Sequence, residues 1–249
     1  MRIKPNRFLS VTNQKRVCLY ITKSKRMKNL IMLLVLLTIG AANAQNNERN
    51  IGDFTEVKVF DRMRVNLIKS SENKVILKGK DTENIELVNS DGVLKVRMNL
   101  DKIFDGNETF VEVYYNNLRV IDANEGAQVE INELLEQSRI EIRVQEGAIV
   151  NAGLDVEFAE MRAVTGGIIK AKGSAEKQNV EINTGGIFEG KSLETTDTTL
   201  RIQAGGEADI FARRTAQIKI RAGGDVDVYG NPTEVIQDKF IGGRINVVK

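Results

Sequence analysis

Between residues 125 and 243 an X-Gly-Ala or X-Gly-Gly tripeptide occurs seven times: EGA at 125–127 and 146–148, TGG at 165–167 and 184–186, AGG at 204–206 and 222–224, and IGG at 241–243. The central glycines, Gly126, Gly147, Gly166, Gly185, Gly205, Gly223 and Gly242, are spaced by 21, 19, 19, 20, 18 and 19 residues. This period restricts the fold more than any other feature of the chain. It marks an array of supersecondary units, each of which covers its apolar face only against its neighbours.

Aligning the copies on those glycines tests the idea. Five residues before the glycine stand Ile121, Ile142, Met161, Val180, Leu200 and Ile218, and three before it Ala123, Val144, Ala163, Ile182, Ile202 and Ile220. Three after it come Val129, Val150, Ile169, Phe188, Ala208, Val226 and Ile245, and five after it Ile131, Ala152, Ala171, Gly190, Ile210, Val228 and Val247. Apolar and polar residues alternate on both sides, which is the period of half-buried strands. Each unit is therefore a short strand, a glycine corner and a second short strand. Stacked in parallel, each column becomes an inward ladder with rungs about 4.8 Å apart.

The expectation is an all-β chain folded as a right-handed parallel β-helix with coils of about 19–20 residues, the hand following from the rule for parallel crossovers. A β-sandwich of meanders requires hairpin turns between strands, and the repeats lack those signals. In the last copy Gln237 and Lys239 occupy inward positions. A polar final unit is what an end cap needs.

Residues 51–118 lack the glycine corner yet alternate well, as in FTEVKVF, KVILKG, VLKVRM and TFVEVYY, and Asp91-Gly92 is a hairpin signal. This segment is expected to be an N-terminal β cap or a set of irregular coils. Residues 119–249 carry the seven repeats, and no Ser- or Gly-rich linker divides the two parts. A single domain over 45–249 is the expectation.

Residues 1–44 read as an export signal. Met27 and Lys28 precede NLIMLLVLLTIG, and AANAQ places Ala42 and Ala44 at the small-residue positions of a cleavage site. Met27 is the expected start and cleavage is expected after Ala44; the apolar run is too short to span a bilayer. The segment holds nine of the 36 Lys and Arg and no acid, so the mature chain has 27 bases against 34 acids, a net charge of −7. The basic balance thus belongs to the signal, and no nucleic-acid partner is expected. The mature part shows no apolar run of membrane-spanning length. The expected location is the periplasm, the outer-membrane surface or the extracellular space.

Cys18 lies before the cut and the chain has no His and no Trp. Disulfides, Ser-His and Cys-His nucleophile pairs and the usual zinc ligand sets are therefore excluded from the mature part. The double glycines have the composition of a phosphate cradle, but such loops open a helix after a strand. Here a strand comes next every time, so the glycines are structural corners.

At this level of detail the chain resembles the "putative auto-transporter adhesin, head GIN domain" family of Bacteroidetes-type bacteria. The resemblance is carried by the seven small-Gly-small corners and by VYGNPTEVIQDKFIGGRINVVK at 228–249, and it covers roughly residues 54–249. It departs at the first corner position, which here holds Glu125, Glu146, Thr165, Thr184, Ala204, Ala222 and Ile241. The resemblance implies an exported β-helix with an adhesin role and no catalytic residues to carry over. Because the repeats continue to the last residues, no C-terminal membrane barrel is expected.

Two columns of outward residues are candidate sites. Glu207 and Asp209 come after one corner and Asp225 and Asp227 after the next, with Glu189 one coil away. Stacked, these carboxylates offer oxygen ligands for Ca²⁺, paired acids for glycoside hydrolysis, or a screened, solvated face. Four residues before the glycine stand Arg143, Arg162, Glu181, Arg201 and Lys219, with Arg221 nearby. That column suits contact with anionic glycans or lipopolysaccharide. The functional expectation is an exported, non-catalytic scaffold binding a glycan, a surface polymer or a protein. The alternative is a β-helix polysaccharide lyase or hydrolase using the acidic ladder. The expected coil spacing leaves little material for the walls of an active-site cleft.

Overall fold

Alternation in the sequence becomes parallel pairing in space. The computed structural model describes residues 47–103 and 105–249, and the signal expected over 1–44 lies outside them. Seven strands build the N-terminal end: β1 (Glu48–Asn50), β2 (Glu56–Val59), β3 (Arg64–Lys69), β4 (Lys74–Gly79), β5 (Ile85–Ser90), β6 (Val93–Met98) and β7 (Thr109–Tyr115). The repeats form β8 (Val120–Ala123), β9 (Gln128–Val144), β10 (Ile149–Val164), β11 (Ile168–Asn183), β12 (Gly186–Ile202), β13 (Gly206–Phe211), β14 (Thr215–Ala222), β15 (Asp225–Tyr229), β16 (Glu234–Ile241) and β17 (Arg244–Val247). The whole is a β-solenoid of about seven turns with about 19 residues per turn.

The long strands β9 to β12 each run almost from one glycine corner to the next, bending on the way. The strand segments on the N-terminal side of the corners form a first face, built from β2, β6, β8, the C-terminal parts of β9 to β12, β14 and β16. Those on the C-terminal side form a second face, built from β3, β7, the N-terminal parts of β9 to β12, β13, β15 and β17. On the first face the rungs are in register from coil to coil: Ile121 pairs with Ile142, Ile142 with Met161, Met161 with Val180, Val180 with Leu200, and Leu200 with Ile218. All these residues are buried in one continuous core, as the glycine alignment anticipates. The last coil departs, since Gln237 and Lys239 continue the inward columns of Ile218 and Ile220 but are exposed.

The uneven spacing of the glycines has a structural origin. Ile131 pairs with Ala152 but Leu134 with Gly153, so β9 holds two additional residues, and that coil spans 21 rather than 19. Lys170 pairs with Glu189 but Lys172 with Ser192, so β12 holds one, and its coil spans 20. Bulges take up the surplus without shifting the inward residues on either side.

The corners fall into two kinds. In the first four, both residues of Glu125-Gly126, Glu146-Gly147, Thr165-Gly166 and Thr184-Gly185 have positive φ, whereas in the last three the left-handed pair moves one residue on, to Gly205-Gly206, Gly223-Gly224 and Gly242-Gly243. The second kind gives both positions to glycine, which leaves Ala204, Ala222 and Ile241 in ordinary backbone. Successive corners stack by hydrogen bonds: Gly126 N–H donates to the Glu146 carbonyl at 2.9 Å, and Gly147 N–H to that of Thr165 at 3.2 Å. An eighth corner precedes them. Asp61 and Arg62 have φ of 61° and 59°, and Arg62 N–H donates to the Glu125 carbonyl at 3.0 Å.

A β-branched residue in the left-handed region is strained by about 1–3 kcal/mol. Replacing Thr165, whose φ is 49°, by Asn is therefore expected to raise stability by about 0.5–1 kcal/mol. A urea midpoint that falls instead of rising contradicts this account.

The segment 51–118 is coil and cap together. β2 and β3 form one coil, and β6 and β7 form another stacked on its outer side, with β2 pairing in parallel with both β6 and β8 and β3 with both β7 and β9. Antiparallel strands then close the end: β5 on β6, β4 on β7 and β1 on β4. The β5–β6 hairpin turns at Asp91-Gly92, both with positive φ.

Candidate functional site

Outward positions on the second face two and four residues past Gly205 and Gly223, with Glu189 four past Gly185, carry the acidic ladder. Glu207 pairs in register with Asp225, Asp209 with Asp227, and Glu189 with Asp209. Like charges on adjacent rungs repel, and the surrounding residues offset this. Arg244 Nε lies 3.3 Å from Asp225, Asn246 Nδ2 donates to Asp227 at 2.9 Å, and Lys170 Nζ lies 3.1 Å from Glu189. Lys191 Nζ sits 4.7 Å from the Tyr229 ring centroid. An open depression of about 420 Å³ lies over Glu189, Glu207, Asp209, Asp225 and Asp227. Among the described residues no group of three or more carboxylates is arranged to hold a metal ion. A Ca²⁺ site needs six to eight converging oxygens, whereas these side chains are spread along rungs.

Asp209 is the perturbed member. Burial, then the Asp227 charge, raises its carboxyl above the ordinary 3.8, while Lys191 opposes the rise. The fold thus favours the neutral acid. That contribution to stability is present below 3.8 and lost as the pH rises through the raised folded value. Asp209→Asn is therefore expected to stabilise the protein at pH 7 by about 0.5 kcal/mol, with the gain vanishing towards pH 3. A gain that is the same at both pH values in thermal melts contradicts the repulsion.

The first face carries the basic column, and register shows its pattern. Outward residues on successive rungs are Lys95, Lys58, Asp122, Arg143, Arg162, Glu181, Arg201, Lys219 and Asp238. Two cations are followed by one acid, three times over. Lys58 pairs with Asp122 at 3.3 Å, Arg162 with Glu181 at 3.0 Å and Lys219 with Asp238 at 3.3 Å. Arg143 reaches sideways to Glu141 at 2.6 Å, which with Glu56 and Asp122 raises its pKa further. Arg201 and Arg221 are exposed and have no acid within ion-pair distance among the described residues. The column is thus a neutralised ladder with a local cationic end, a distinction that residue type alone does not reveal.

A third feature continues the column of Glu207 and Asp225 towards the N-terminal end, where Ile187 is the rung neighbour of Glu207. Two residues after the corner the second face presents Ile149, Ile168 and Ile187 outward and half-buried on consecutive rungs. Phe110, 43% exposed, lies in the same column beyond Arg64 and Gln128. Phe110, Arg64, Gln128 and Ile149 border an open cleft of about 660 Å³, and the Arg64 guanidinium lies 5.5 Å from the Phe110 ring centroid. Its signal in the sequence is the isoleucine repeated at the second position after three glycines, an outward position where charges alone were expected to matter.

Known proteins resemble this arrangement. The family model described as "Putative auto-transporter adhesin, head GIN domain" matches residues 53–232. A solved structure from Bacteroides fragilis, described as a putative adhesin, is similar at a TM-score of 0.75 with 16% identity, over 81% of this chain and 95% of that one. A putative adhesin from Parabacteroides merdae is similar at 0.65 with 18% identity, and a protein from Parabacteroides distasonis described as a putative lipid binding protein at 0.62 with 15% identity, each with the same coverage. At such identities these structures share the fold. The comparison with curated proteins returns no match.

Proposed function

The chain belongs to the "Putative auto-transporter adhesin, head GIN domain" family, and from that premise we propose that it is an exported, non-catalytic scaffold that binds a glycan, a surface polymer or a protein at the cell envelope. The observation that carries this reading is the form of the exposed surface. The solenoid presents open, in-register ladders of side chains on two faces, and the coils insert only the one or two residues of the β9 and β12 bulges. Such faces offer many weak, regularly spaced contacts to a polymer. The carbohydrate-active enzyme alternative gains no support from the acidic ladder, in which Asp225, Asp227 and Glu189 are held by Arg244, Asn246 and Lys170.

Residues 1–44 supply the address in this reading, so the N-terminus of exported protein is expected to be Gln45. The test exposes the labelled full chain to envelope fractions and a glycan array, with parallel lyase and hydrolase assays. Saturable binding without turnover is expected. Turnover that disappears in Asp225→Ala overturns the scaffold reading.

A further inference from the structure

Glu181 explains why two cations on the first face remain available. Its Oε2 accepts from Arg162 Nη1 at 3.0 Å and its Oε1 from Gln203 Nε2 at 3.2 Å. Both oxygens face these partners, and Arg201, its other rung neighbour, has no acid within ion-pair distance among the described residues. The acid at the end of the column, Asp238, is held by Lys219 Nζ at 3.3 Å. Arg221 stands two residues past Lys219, exposed on the same side of β14. Arg201 and Lys219 are directly opposite in register. The unpaired head groups of Arg201 and Arg221 therefore lie diagonally across an area about 4.8 Å wide across the strands and about 6.6 Å long. Adjacent like charges raise the energy of the free surface, and an arriving anion relieves it with charge-assisted, forked hydrogen bonds.

We propose that Arg201 and Arg221 form a docking point for the carboxylate or phosphate groups of an anionic glycan, with Gln203 beside them as a neutral donor and acceptor. This rests on the surface-binding reading above and narrows it to a ligand class and to one end of one face. Arg143 and Arg162 fall outside the site, because Glu141 and Glu181 already neutralise them. A mature net charge of −7 disfavours densely charged polyanions as a whole, so a polymer with widely spaced anions fits best.

The test measures retention of the full chain on immobilised dextran of low carboxymethyl substitution, on a sparsely phosphorylated mannan and on neutral dextran. Retention on at least one anionic polymer and none on dextran is expected, weakening as NaCl rises from about 50 to about 300 mM. The double variant R201Q/R221Q is expected to lose about tenfold in affinity, while R214Q, which removes an exposed cation paired with Asp197, is expected to change little. The polymer that retains the protein separates carboxylate from phosphate. Retention on dextran that is equal to that on the anionic polymers, or unaltered binding by R201Q/R221Q, overturns this inference and leaves the surface-binding reading standing. Absence of retention on both anionic polymers also overturns it, and the glycan-array result then decides the broader reading by itself.

Discussion

Gly173→Ala is expected to destabilise the protein by about 3 kcal/mol, and Gly147→Ala by only about 1 kcal/mol. Both glycines have positive φ, 108° and 71°, so both substitutions carry the strain of a side chain in a left-handed conformation. The difference is what the new methyl meets. At Gly147 nothing lies within 4 Å, because the corner projects into solvent. At Gly173 the methyl overlaps the Leu154 carbonyl oxygen of the previous coil and lies 3.1 Å from its carbon. Leu154 and Gly173 are directly paired rungs of β10 and β11, so the backbone cannot retreat without breaking the ladder. Urea denaturation of both variants decides the matter. Equal losses contradict the claim that coil-to-coil approach, and not conformation alone, makes Gly173 necessary.

The second large effect is a coupling between Phe188 and Gly190. Both are inward positions of β12, and a methyl on Gly190 falls on the Phe188 ring, with the Asp209 carbonyl oxygen 2.9 Å away. The ring therefore occupies the space that a side chain at 190 needs. Phe188, 1% exposed, is expected to cost about 3–5 kcal/mol on truncation to alanine. Gly190→Ala is expected to cost about 2–3 kcal/mol through overpacking. In Phe188→Ala/Gly190→Ala the methyl enters the space left by the ring, so the double variant is expected to be at least about 1 kcal/mol more stable than the sum of the single losses allows. Rescue is incomplete because the Asp209 carbonyl stays. Additive losses in the cycle contradict the shared-space explanation.

The legible part of this fold is the part where backbone demands are written in side chains. Glycine columns and alternating Val, Ile and Leu suffice to place the corners, the inward ladders and the capping by Gln237 and Lys239. The Asp61-Arg62 corner is not legible, because its left-handed pair contains no glycine. The two corner kinds track the residue before the glycine, polar Glu or Thr in one and Ala or Ile in the other, but that meaning emerges only from φ. The N-terminal stacking order is hidden because partner choice among β2, β6 and β8 is a long-range competition between similar alternating strands. On the surface, the columns Glu207/Asp225 and Asp209/Asp227 are readable from alignment. Which charges are spent on each other depends on side-chain reach across rungs, as Glu181 shows by holding Arg162 and Gln203 while leaving Arg201.

The placement of β2 and β3 also governs how the protein comes into being. In the repeats a strand finds its partner about one turn later, as Ile149 does 19 residues on at Ile168. Glu56 must wait for Val93, 37 residues on, and for Val120, 64 residues on. Each doubling of such a loop costs about 0.6 kcal/mol in closure entropy, and the slot between the two neighbours exists only after both have been made. A chain emerging N-terminus first thus holds its opening strands paired on one side at most until β8 and the start of β9, up to residue 131, have been added, and the repeats beyond are the cheaper nucleus. Assembly is therefore expected to run against synthesis, the stack condensing from the middle and closing last over the residues that were made first.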